Sequence, residues 1–201
     1  VFPEIVVSES YRISNAKVME GALIRGPFAL GEGATVKMGA KIYGATTIGP
    51  NCVAGGEIKN VVMLSNSNKA HEGYLGNSVI GEWCNLGADT NCSNLKNNWS
   101  EIKIWSYISG DFEPSGQIKA GLFMGDYSMT GINTMFNTGT TVGLCCNIFG
   151  SELPPRFIPS FSWGGAQKFT TYRPDKAFAT MEKMMKAKNH FLGTEESLLL
   201  L

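Results

Sequence analysis

Cut from residue 18, the chain falls into sixes: VMEGAL, IRGPFA, LGEGAT, VKMGAK, IYGATT and IGPNCV, each led by a branched aliphatic. The frame returns at Ile80 as IGEWCN and LGADTN, and again from Met124 as MGDYSM, TGINTM, FNTGTT and VGLCCN. The fifth column reads Ala22, Phe28, Ala34, Ala40, Thr46, Cys52, Cys84, Thr90, Ser128, Thr134, Thr140 and Cys146, so every member but Phe28 is small. A six-residue repeat drifts around a 3.6-residue helix and never keeps one face. A coil of short strands keeps it. Three sixes close a triangular turn of about 18 residues, with large aliphatics stacked inside and small residues at tight corners. The expected fold class is all-β: a left-handed parallel β-helix of hexapeptide repeats, with a projecting arm and a C-terminal α-helix.

The interruptions of the period set the expected organisation. Residues 1–17 form an opening segment and residues 18–150 the β-helix. Within the helix, 66–79 breaks the frame with "SNSNKAHEGY" and reads as a loop leaving the coil. Residues 94–123 read as an arm, because "EIKIWSYI" alternates as a half-buried strand does before "SGDFEPSG" turns the chain. The Pro-rich and aromatic stretch 151–175 has no sixes and is expected to cap the open end of the coil. A C-terminal helix and tail fill 176–201. The helical pattern itself runs from Pro174 to His190, with Pro and Asp in the first turn and lysines in the last.

Lysine plus arginine equals aspartate plus glutamate, 17 each, so no net field draws the 201-residue chain to nucleic acid or an anionic membrane. The closing "LLLL" is far short of the roughly 20 apolar residues that span a bilayer. No signal-peptide pattern opens the chain, and the expected location is cytoplasmic. Five cysteines without a C-x-x-C pair argue against a zinc ribbon or a disulfide framework. Two widely separated histidines, His71 and His190, argue against a histidine-held metal, and no metal site is expected.

The order Glu57-x-Lys59, His71-x-x-Tyr74-Leu-Gly, Asn85-Leu-Gly-Ala88 and Asn94, with "GPFA" at 26–29, resembles the acetyltransferase domain of the bifunctional N-acetylglucosamine-1-phosphate uridyltransferase/glucosamine-1-phosphate acetyltransferase family. Farther on, "FMGDYSMTGINTMFNTGTTVG" and "IPSFSWGG" resemble sugar-1-phosphate nucleotidyltransferases of the glucose-1-phosphate thymidylyltransferase-like kind. The resemblance implies an acetyl-CoA-dependent acyltransferase with a sugar-phosphate acceptor, in nucleotide-sugar biosynthesis. It implies His71 as general base and Glu57 as the carboxylate that orients it. A base titrating near neutrality suits removal of a proton from an attacking amine. The same resemblance implies Lys59 on the sugar phosphate, Tyr74, Asn85 and Asn94 on hydroxyl or acyl groups, and the backbone at Ala88 beside the thioester. It also implies a homotrimer, and an N-terminal nucleotidyltransferase domain ahead of Val1 that would carry any Mg²⁺.

The sequence departs from that pattern in three places. No arginine-bearing stretch follows "GPFA", Asp89 stands in "NLGADT" where a small residue is usual, and the arm is longer. A second reading therefore stands beside the first: a non-catalytic trimerisation or regulatory coil of a thymidylyltransferase-like enzyme. Residue by residue the alternatives are also plain. His71 is a base or a solvated loop tip, Tyr74 a ligand or the packing of a loop base, and Asn85 and Asn94 are ligands or turn-ending amides.

Overall fold

The computed structural model describes residues 10–12, 15–191 and 193. The chain winds as a parallel β-solenoid of about eight turns, followed by one C-terminal helix. Its first face stacks Ser10–Arg12, Phe28–Leu30, Thr46–Ile48, residues 61–63, residues 78–80, Leu122–Met124, Thr140–Val142 and Phe157–Ile158. The second stacks Lys17–Val18, Thr35–Val36, Val53–Ala54, Asn68–Lys69, Asn85, Met129–Thr130, Asn147–Ile148 and Ser162–Gly165. The third stacks Leu23–Arg25, Lys41–Tyr43, residues 57–59 and residues 74–76, then carries on through Asn91–Cys92 and Met135–Phe136. Strands Glu57–Met63 and Tyr74–Ile80 each bend across two faces, at Asn60 (φ 52°) and Asn77 (φ 49°).

The leaders of the sixes fill the interior. Ile24, Leu30, Val36, Ile42, Ile48, Ile58, Met63, Leu75, Ile80, Leu86, Met124, Val142, Ile148 and Ile158 are all buried in one continuous core. The small fifth column is buried too, and at one corner it carries a ladder. Cys52 Sγ donates to Leu64 O (2.6 Å), Ser67 Oγ to Gly81 O (2.6 Å), Cys84 Sγ to Gly125 O (3.2 Å), Ser128 Oγ to Gly143 O (2.8 Å) and Cys146 Sγ to Pro159 O (3.1 Å). Each group spans one rung to the next, so at this corner a cysteine or serine adds a bond that the alanines lower in the column cannot make. Burial pushes the thiols up, Cys52 to about 11 and Cys84 to about 12, so they remain protonated donors.

The same corner places Trp83, Tyr127 and Phe161 at φ 57°, a conformation that bulky side chains rarely adopt. Helix Pro174–Ala187 lies along it, and Ala177, Met181 and Met185 pack with Trp83 and Tyr127 in a second buried cluster. Burial of these rings, worth about 2 kcal/mol or more each, offsets the backbone cost. Beyond the helix, Lys188 Nζ donates to Asn66 O at 2.7 Å and lies 5.7 Å from the centre of the Trp83 ring.

Several expected boundaries are corrected. The coil does not wait for residue 18, because Ser10–Arg12 already pairs with Phe28–Leu30; residues 1–9, 13 and 14 lie outside the described residues. The stretch 66–79 is no loop leaving the coil: Asn68–Lys69 pairs in register with Val53–Ala54, and only 70–73 turns a corner. Leaders Met63, Lys69 and Leu75 keep the six-residue spacing, and a lysine at an aliphatic position hid it. The coil also runs past 150. Ile158 stacks on Val142, Ser162–Gly165 adds a further rung, and the antiparallel strand Lys168–Thr171 closes the edge. In the arm stretch 94–123, Lys103–Ser106 and Asp111–Pro114 form an antiparallel hairpin, but Leu122 and Phe123 are already back in the coil. Trp105 stacks on Phe157 at 3.8 Å, so the hairpin base lies against the coil. The helix begins at Pro174, where its sequence pattern begins, so the 176 boundary falls inside it, and it ends at Ala187 instead of His190; residues 192 and 194–201 lie outside the described residues.

Two measurements test this packing. Ser128→Ala leaves Gly143 O and the Cys146 N–H without their partner, and is expected to cost about 1–3 kcal/mol in denaturant unfolding, with Ser128→Cys costing less. Lys69 is 1% exposed, and burial pushes its ammonium from the usual 10.5 down to about 8. Between those values the unfolded chain holds a proton that the folded chain has released, so stability rises with pH across that window, by up to about 3 kcal/mol. Thermal unfolding against pH should show the rise, and Lys69→Met should lose it.

Candidate active site

On the third face, register alone aligns outward side chains from successive rungs. Arg25, Tyr43, Lys59 and Gly76 form one column, and Lys41, Glu57 and Tyr74 the column beside it. Rungs lie about 4.8 Å apart and residues along a strand rise about 3.3 Å each, so side chains sixteen or seventeen apart in sequence stand closer than side chains two apart on one strand. Tyr43 donates its hydroxyl to Glu57 Oε1 at 2.6 Å. That hydrogen bond, with burial and the carboxylate charge behind it, pushes the Tyr43 phenol up to about 12. Lys59 Nζ stands 5.3 Å from the centre of the Tyr43 ring.

Tyr74 lies back over Gly76, where the space a Cβ would fill is taken by the phenol. Its hydroxyl accepts from Asn94 Nδ2 at 2.9 Å, and the same Asn94 nitrogen donates to Asn77 Oδ1 at 2.7 Å. Burial raises the Tyr74 phenol, so it stays protonated at neutral pH. Arg25, Lys41 and Lys59 outnumber Glu57 here, giving the face a positive bias suited to a phosphate.

His71 sits on the corner that follows Asn68–Lys69. This corner rides on Gly55 and Gly56: a Cβ on Gly56 would come within 2.7 Å of the His71 carbonyl oxygen. The imidazole is exposed, and among the described residues no hydrogen bond joins it to Glu57 or to any other side chain. One level up, Asp89 N–H donates to Glu72 O at 3.0 Å, which sets Ala88 directly over the His71 corner. Ala88 accepts from Asn133 N–H through its carbonyl, whereas among the described residues its own N–H has no backbone acceptor.

Of the residues singled out from sequence, the structure thus brings Glu57, Lys59, Tyr74 and Asn94 onto one face, with His71 and Ala88 on successive levels of the adjoining corner. Asn85 is apart. It bridges Asn68 and Met129 on the second face, with its amide on Ser128 O and its carbonyl on Thr130 N. Sequence reading missed Tyr43, Asn77 and Arg25. Arg25 and Tyr43 are eighteen residues apart, one full turn, and that spacing would have put the two in one column; Lys59 joins them sixteen residues on, because the next turn is shorter.

No protein-family model matches the chain. A bifunctional sugar-1-phosphate nucleotidylyltransferase/acetyltransferase from Sulfurisphaera tokodaii is 33% identical over 51% of this chain and 25% of its own length. Over about half its length, the chain is similar to such two-activity enzymes. The bifunctional protein GlmU of Methanocaldococcus jannaschii is 36% identical over 52% of this chain and 25% of its own. The match therefore spans about a quarter of each of these relatives. Among solved structures, the polySia-specific acetyltransferase NeuO superimposes with a TM-score of 0.49 at 15% identity, covering 90% of this chain and 98% of that one. Among the described residues, no group of three or more His, Cys, Asp or Glu could hold a metal ion, and no helix is long and apolar enough to cross a membrane.

The Tyr74–Gly76 contact gives a test. Gly76→Ala is expected to destabilise the coil by about 1–3 kcal/mol through overpacking, and Tyr74→Ala in the same chain should recover most of that loss. A double-mutant cycle in urea reads the coupling, and additive effects would show that the phenol does not lie over Gly76.

Proposed function

We propose that this chain is an acyltransferase unit that uses acetyl-CoA to acylate an amino group on a sugar phosphate. The observation that carries the reading is the free His71 imidazole, at the edge of a face where Glu57, Lys59, Tyr74 and Asn94 converge. The similarity to nucleotidylyltransferase/acetyltransferases supports it.

In this reading the imidazole takes the proton of the acceptor amine as nitrogen attacks the thioester carbonyl. A C–N bond forms, the C–S bond breaks, and CoA leaves as the thiolate, which takes up a proton. Glu57 supplies the carboxylate on the rung beside the imidazole, and Tyr43 holds that carboxylate in place. Lys59, Arg25 and Lys41 bind the sugar phosphate, and Tyr74 and Asn94 meet hydroxyl or acyl groups. The Ala88 N–H is a donor with no backbone acceptor among the described residues, which fits a thioester carbonyl gathering negative charge. Asn85, one face away, serves substrate only where a second subunit closes on that corner. A homotrimer with residues 66–74 facing a neighbouring subunit provides such an approach. The chain functions in the cytoplasm, and any Mg²⁺ belongs to a nucleotidyltransferase portion, outside the quarter of the relatives matched here.

A second reading, a trimerising and regulatory coil without chemistry, is supported by the lack of a His71–Glu57 hydrogen bond. One assay separates the two. With acetyl-CoA and an amino-sugar phosphate, the chain should release free thiol, and His71→Ala should lower kcat/KM by about a hundred- to ten-thousand-fold with the assembly state unchanged. Absence of thiol release, together with no calorimetric heat from millimolar CoA, would favour the scaffold.

A further inference from the structure

Beneath the His71 corner stands a charged residue in a column where the other turns hold uncharged ones. Lys69 lies six residues after Met63 and six before Leu75, and its side chain runs into the interior beside Ala54. The ammonium donates to His71 O (2.8 Å), Gly55 O (3.2 Å) and Glu72 O (3.4 Å). Three carbonyls meet its three N–H groups. The hollow that admits it is made by the corner below. Gly56 stands at φ +70°, and a Cβ there would come within 2.9 Å of Lys69 Nζ.

Desolvating an ammonium is costly unless it gains something an alkyl chain cannot supply. Uncharged residues fill the equivalent place in the other turns, among them Val18, Val36, Ala54, Leu86 and Ile148. Among the described residues no carboxylate touches the ammonium; Glu72 and Asp89 favour its protonated form from a distance. What the lysine adds is a tie between two corners. It joins the level of Gly55 and Gly56, next to Glu57, to the level of His71 and Glu72.

We propose that Lys69 is the positioning residue of the candidate active site: from inside the coil its ammonium holds the carbonyls of His71 and Glu72 against that of Gly55, and so fixes where the His71 imidazole stands relative to Glu57. The inference rests on reading His71 as the base.

The chain's two histidines give two imidazole Cε1–H signals, assigned with His71→Gln, and His190, packed edge-on against Trp83 at 5.2 Å, serves as internal control. In Lys69→Met the His71 signal should shift and broaden and its titration midpoint should move, with His190 unchanged. Lys69→Gln, which keeps an N–H donor, should fall between. A His71 signal and midpoint identical to those of the unaltered chain would overturn the proposal. Should neither variant fold, the unaltered chain decides. Its His71 signal should show a second inflection near pH 8, as Lys69 releases its proton; a single inflection overturns the proposal. In acyl transfer, Lys69→Met should lower kcat at least about tenfold with the KM for acetyl-CoA unchanged. If His71→Ala leaves transfer intact while Lys69→Met still moves the His71 signal, the tie stands and the base assignment falls.

Discussion

Everything in this coil depends on parallel strands staying in register from rung to rung. Phe28 pairs with Thr46 and Leu122 with Thr140, each eighteen residues on, so each interior aliphatic stands directly on the one below. No single turn could bury its own leaders. Each leader is covered only because the next turn repeats the same geometry, and the buried stack runs continuously from Ala16 to Ile158. The Cys–Ser ladder serves the same register with directional bonds, since a donor aimed at the next rung's carbonyl loses its partner if the rungs slide.

Register leaves the corners as the place where residues can be lost or gained. Thr47 pairs with Val62, fifteen residues on; two of the missing positions come out of the corner at Gly55 and Gly56, since Lys41 already pairs with Glu57, and the third out of the bend at Asn60. Val79 pairs with Phe123, forty-four on, and the surplus forms the hairpin stretch. Both departures lie near the polar face. The shortened corner makes the hollow for Lys69, and the inserted stretch begins with Asn94, which closes over Tyr74. The long C-terminal helix is a third consequence of corner geometry. It covers the edge where Trp83, Tyr127 and Phe161 stand in a conformation that would be strained and wet without it.

The coil was legible in the sequence because its period is imposed by burial, and burial acts on residue type. Val36, Ile42 and Ile48 could be read as interior from spacing alone. The reading failed where an interior position broke the chemical rule. Lys69 keeps the spacing but not the type, and so a strand was taken for a loop. It failed again at Ile158, where type survives but the prolines before it stretch the spacing to ten. The site was legible less directly. Glu57 and Lys59 are two apart on one strand and Tyr74 sits a turn later, so resemblance and alternation both place them outward. Tyr43 had no motif to announce it; its part is defined by what lies one rung above, a relation visible only once the length of each turn is known.

A site spread over stacked rungs differs in kind from one held on a single loop. Tyr43, Glu57 and Tyr74 come from three successive turns, and the bonds among their neighbours cross between turns rather than along the chain. The distance between an imidazole on one corner and a carboxylate on the rung below is then set by the rise of the coil and by whatever pins the corner to it. Strands cannot supply that pin at residues 70–73, where pairing lapses between Lys69 and Tyr74. The carbonyls there turn inward instead, toward an ammonium that hydrophobic packing alone would not have selected. Stability given up in the core and order gained at the corner are, in this coil, two effects of one side chain.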